Sequence, residues 1–165
     1  GAVAVAMAVG GMLAVRADVD LARAQRLAAD GHYGAALTAA DRATRLRPDD
    51  IDAWYVAARV ASSRRGLVGV DAGLDRVDAA RKRFPDDPAL RDLDEELLVE
   101  RALRSGLPED RSAAERAARR AIADDPANPV HHRRLAAVPA AGGHDAEADQ
   151  AARRAGGLSP TEGRP

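Results

Sequence analysis

Hydrophobic and polar positions divide the chain into two unequal parts. Residues 1–15 carry no charge and no strongly polar side chain, whereas from Arg16 onward small apolar residues recur at helical intervals among Asp, Glu and Arg. Four stretches share one spacing: a small residue, another seven positions on, and Pro five after that. They are Ala36–Ala43–Pro48, Gly73–Ala80–Pro85, Ala114–Ala121–Pro126 and Ala148–Ala155–Pro160, with prolines 37, 41 and 34 residues apart. Residues seven apart lie on one helix face two turns on, and small side chains there let a second helix approach closely. Proline just beyond the last turn cannot continue the helix. The residues after each Pro open the next helix: Asp49 and Asp50, then Asp86, Asp87 and Pro88, then Asn128 and Pro129. Asp or Asn as N-cap with Pro at the first helical position is a start signal. Gly31–His32–Tyr33 and Gly143–His144–Asp145 mark tight turns within pairs, and Ser112 with Glu115 reads as a capping box. Pro139 is expected to stop its helix near Val138, and the tail from Gly156 to Pro165 to fray.

Composition narrows the fold. The chain holds 40 Ala, 24 Arg and one Lys, and its aromatics are Trp54, Phe84, Tyr33 and Tyr55. Closely packed helices suit such a chain, while a β-sandwich, barrel or doubly wound sheet lacks the β-branched and aromatic core it needs. With no Cys, disulfides and thiol nucleophiles are excluded. A net charge of -1 exerts no global pull on nucleic acid.

The pattern resembles the tetratricopeptide repeat, helix–turn–helix units of 34 residues with Trp, Leu, Gly and Tyr on the first helix and Ala, Phe, Ala and Pro on the second. Trp54 and Ala58 take the Trp and Gly places in the second repeat, Leu135 and Ala136 the Leu and Gly places in the fourth, and Ala24 and Leu27 the Gly and Tyr places in the first. The Phe place holds the smaller Ala40, Val77, Ala118 and Ala152. The resemblance implies an all-α fold, a right-handed superhelix of about four repeats over residues 17–160. Their expected bounds are 17–50, 51–87, 88–128 and 129–160, with a disordered tail at 161–165. Extended first helices around Trp54–Arg65 and Leu90–Ser105 are expected to absorb the excess over 34 residues.

Residues 1–16 are expected to be the second half of a transmembrane helix cut by the start of the sequence. Fifteen helical residues span roughly 22 Å against a hydrocarbon layer of about 30 Å. No charged n-region precedes the apolar run, and the alternatives are a buried helix of the soluble domain or a signal-peptide h-region without its flanks. No breaker separates Val15 from Ala29, so the span should continue into the first soluble helix as one rod. The mixed flank of Arg16, Asp18, Asp20, Arg23 and Arg26 lacks a Lys/Arg excess, which points to an extracytoplasmic soluble part.

Candidate chemistry is sparse. There is no phosphate loop and no Gly-x-Ser-x-Gly elbow. His131 and His132 are about 100° apart on a helix, do not converge on a metal, and read as surface residues. The run Asp92 to Glu96 reads as a solvated helix face. Arginine pairs such as Arg119–Arg120 are interleaved with acids and have no aromatic platform for bases, so no nucleic-acid partner is expected. No catalytic residue, cofactor or metal is expected in this segment.

What remains is a surface. In tetratricopeptide arrays the first helices line a concave groove for an extended peptide or partner helix, and by position this implies Asp52, Tyr55, Arg59, Asp92 and Arg133. Tyr55 is the expected anchor. The functional expectation is a membrane-tethered, non-catalytic scaffold for protein segments. An alternative rests on Arg16–Ala24, Gly31–Leu37 and Leu46–Asp50 after an apolar helix, which resemble the end of O-antigen ligase/polymerase family proteins. That resemblance implies a glycan transferase with its catalytic part upstream. A third reading is cell-envelope assembly or cytochrome maturation.

Overall fold

The structure is a computed structural model describing residues 2–138 and 153–154, with side chains from residue 15 onward. Among the described residues there are seven α-helices and no strand. They are α1 (Ala2–Ala29), α2 (Tyr33–Leu46), α3 (Ile51–Ser62), α4 (Leu67–Arg81), α5 (Pro88–Ser105), α6 (Pro108–Asp124) and α7 (Pro129–Ala137). The chain divides into two compact units, residues 1–90 and 91–165, with the boundary inside α5.

In the first unit α1 packs on α2 and on α3, α2 also packs on α3, and α3 on α4. Small residues make this possible. Ala24, Ala36, Ala39, Ala40, Ala57 and Val60 form one buried cluster, with Leu27, Leu37 and Val56 around it. The spacing read from the sequence falls on this unit's interior: Ala36, Ala43 and Ala80 are fully buried, and Gly73 is buried as well. The Phe-place residues Ala40 and Val77 are likewise enclosed. Trp54 closes the linker between α2 and α3, its indole N–H donating to the Pro48 carbonyl at 2.9 Å while the Arg83 guanidinium lies 6.0 Å from its ring centre.

The second unit repeats the logic with α5, α6 and α7. Val99, Ala102, Ala114 and Val138 form a buried cluster joined by Leu98. Asp110 of α6 is buried and receives Arg101 of α5 at 3.0 Å. Ala114 and Ala118 are fully buried, whereas Ala121 is half-buried.

Helix ends reflect local chemistry. Asp50 caps α3 by accepting from the Asp52 N–H at 3.0 Å, and Asn128 caps α7 by accepting from the Val130 N–H at 3.0 Å, with Pro129 next. Asp87 accepts from the Leu90 N–H as α5 begins at Pro88. Val138 ends α7 with φ -77° and ψ 111°, the extended geometry forced on a residue before Pro. Gly31 turns α1 into α2 with φ 80°.

Two expectations need correction. Ser112 and Glu115 do not cap a helix start, because Pro108 begins α6 a turn earlier and the Ser112 hydroxyl donates back to its carbonyl at 2.9 Å. The first helix of the second repeat does not extend to Arg65. It stops at Ser62, where the Ser62 and Ser63 hydroxyls bond the carbonyls of Arg59 and Val60, and residues 63–66 form the turn. Gly66 (φ 85°) and Gly69 make that turn possible: a Cβ on Gly69 would lie 1.8 Å from the Arg64 carbonyl oxygen.

At the N-terminus α1 is one helix of 28 residues, as the absence of a breaker requires. Among the described residues no helix is long and apolar enough to cross a membrane. The expected span, 1–16, falls largely on side chains outside the described residues, as do the fourth Ala–Ala–Pro spacing, His144 and the tail.

Candidate functional site

Three expected groove residues lie on α3 at i, i+3 and i+7, which places Asp52, Tyr55 and Arg59 on one helix face. Asp52 and Arg59 are exposed and Tyr55 is half-buried. Arg59 sits 5.6 Å from the Tyr55 ring centre and donates to its hydroxyl at 3.2 Å. The half-buried ring is thereby held in one orientation, with its cation already stacked.

Asp92 and Arg133 belong to the second unit. Arg133 is exposed on α7. Asp92 is half-exposed but engaged, its carboxylate accepting from Arg134 together with its own backbone carbonyl.

Arg134 is the centre of a polar cluster that the sequence reading missed. Its guanidinium reaches Asp92, Glu95 at 2.8 Å and Glu96 at 3.1 Å, all on α5. Glu95 is 1% exposed and also faces His131 Nδ1 at 2.7 Å. His131 and His132 are buried, not surface residues, and Glu95 is not part of a solvated face. The reason is that α5 is buried on two sides. Leu90, Leu93 and Leu97 line one side, and Glu95, Val99 and Ala102, at i, i+4 and i+7, the other. Burial, the largest single influence, works against the Arg134 charge, yet hydrogen bonds and charges from Asp92 and Glu95 prevail and raise its pKa. A raised folded-state pKa on a cation contributes stability that is fully present below the ordinary arginine range, so this contribution is lost only in strong alkali.

Asp92, Glu95 and His131 bring ligand atoms within 4.8 Å of one another. They are not arranged for a metal. The Arg134 Nη1 already lies against both carboxylates, and the donor pattern around His131 directs its Nδ1 proton at Glu95. The cation held by these acids is the chain's own guanidinium.

His131 is specified on both edges. Asn128 Oδ1 is committed to the Val130 N–H, so the amide presents Nδ2, a donor, to His131 Nε2 at 3.2 Å. In a neutral ring Nε2 then accepts, which assigns the ring proton to Nδ1. His132 Nε2 faces the Pro126 carbonyl at 2.9 Å and must donate. As neutral rings the two adjacent histidines take opposite tautomers, and their contacts tie α7 to α5 and to the linker before it.

A comparison with curated proteins returns no match. A family model for the tetratricopeptide repeat matches residues 17–60, the stretch that contains the C-terminal half of α1, all of α2 and the face bearing Asp52, Tyr55 and Arg59. Helical hairpins packed through small residues and the Trp54 and Ala58 places agree with this match, so residues 17–60 are similar to a tetratricopeptide repeat.

Proposed function

We propose that the chain is a non-catalytic scaffold that captures a protein segment on the first-helix face carrying Asp52, Tyr55 and Arg59, with Asp92 and Arg133 as the corresponding positions of the second unit. Tetratricopeptide repeats generally bind proteins or peptides. The observation that carries the reading is the α3 face itself: an aromatic edge, a stacked guanidinium and a carboxylate aligned on an exposed strip of the matched segment. Such a strip suits a partner with both an apolar anchor and charges of either sign.

The reading includes attachment to a membrane through residues 1–16 and an extracytoplasmic scaffold. Support comes from the uncharged run at 1–15 and from α1, which carries that run into the first repeat without a break.

The test is capture from a displayed peptide library by the wild-type chain, Tyr55→Ala and Arg59→Glu, with far-ultraviolet circular dichroism as the folding control. Loss of a hot-spot aromatic should weaken capture roughly 30-fold. Undiminished capture by both helical variants overturns the assignment.

A further inference from the structure

We infer that His131 couples protonation to the start of α7: a second proton on its ring trades the N-cap of that helix for a charged pair with Glu95. The inference rests on donor and acceptor geometry and stands apart from the binding face proposed above. In the neutral ring Nδ1–H donates to Glu95 and Nε2 accepts from the Asn128 amide. Both bonds are satisfied only because the Asn128 carbonyl oxygen is turned the other way, onto the Val130 N–H. A second proton, taken from solvent onto Nε2, sets an N–H donor against an NH2 donor.

Relief comes from turning the Asn128 amide over. Its oxygen then accepts from Nε2–H, and Val130 loses its cap. Val130 occupies the second helical position, where no backbone carbonyl is available, so the side-chain oxygen is its sole intrahelical partner. The gain is on the other edge, where a charged imidazolium replaces a neutral donor against buried Glu95. Glu95 is the acid in contact with the ring and Asp92 lies beside it; both, with Glu96, also meet the Arg134 guanidinium of α7, whose neighbour Arg133 is exposed. From α6, Asp124 is paired with Arg91, and His132 is directed away to the Pro126 carbonyl. The result is a helix whose body is held more tightly to α5 while its first turn opens.

The experiment uses the isotope-labelled 165-residue chain in solution. Long-range proton–nitrogen correlations of the imidazole should place the neutral-ring proton on Nδ1. As those ring signals report uptake of the second proton, protection of the Val130 amide, corrected for intrinsic exchange, should fall roughly fivefold, the scale of a lost cap. In Asn128→Asp the carboxylate accepts from Val130 and from Nε2–H together, so protection should persist through the same ring titration. A neutral-ring proton on Nε2 overturns the inference without any variant. So does Val130 protection that is unchanged in wild type, or that falls equally in both chains.

Discussion

At the scale of single residues, the most demanding positions are those where a backbone or a buried charge leaves no alternative. Gly69 is one, with the Arg64 carbonyl in the space a Cβ would take. Gly69→Ala should destabilise the first unit by about 2 kcal/mol, as backbone must shift to relieve the overlap. Gly34 is the contrasting case, helical with nothing within 4 Å of an added Cβ, and Gly34→Ala should stabilise by about 0.5 kcal/mol. Urea denaturation monitored by Trp54 fluorescence measures both. Arg134 is the second demanding position. Arg134→Ala leaves Glu95 charged and buried and should cost about 3 kcal/mol, whereas adding Glu95→Gln removes the stranded charge and should recover part of that loss. Equal stability of the single and double variants in thermal melts would show that the cluster carries no buried charge.

Elements show how much the sequence discloses and where it stops. Prolines preceding Asp or Asn located the starts of α3, α5 and α7 because capping is a local interaction between residues two or three apart. Asp50→Ala should accordingly lower stability by about 1 kcal/mol, visible as a shifted denaturation midpoint with unchanged slope. The end of α3 was not legible, since Ser62 and Ser63 are compatible with helix and only the Arg64–Gly69 approach makes the turn necessary. The polar cluster was obscured for a different reason. Consecutive acids from Asp92 to Glu96 look solvated when read as a run, and only the i, i+4, i+7 pattern of Glu95, Val99 and Ala102 reveals a second buried side. Its partner Arg134 lies 39 residues on, beyond any local signal. Asp20 repeats the lesson on α1, buried between Ala17 and Ala24 with Arg42 3.7 Å away.

For the whole molecule, the two units use different means to specify their packing. The first holds all four aromatics and fixes its linker through Trp54, whereas residues 91–165 contain no aromatic and rely on Glu95, His131 and Arg134. Small buried side chains can be exchanged for one another at little cost, and a satisfied polar cluster restricts which registers of α5 and α7 are tolerable. The account's central claim is that partner segments are taken on the first-helix face and not on the second. A photo-crosslinking residue placed at Asp52 of α3, and separately at exposed Asp75 of α4, tests it against peptides captured from the library. Crosslinked adducts should form from position 52 and be at background from position 75. Equal adducts from both, or adducts from position 75 alone, would contradict the account.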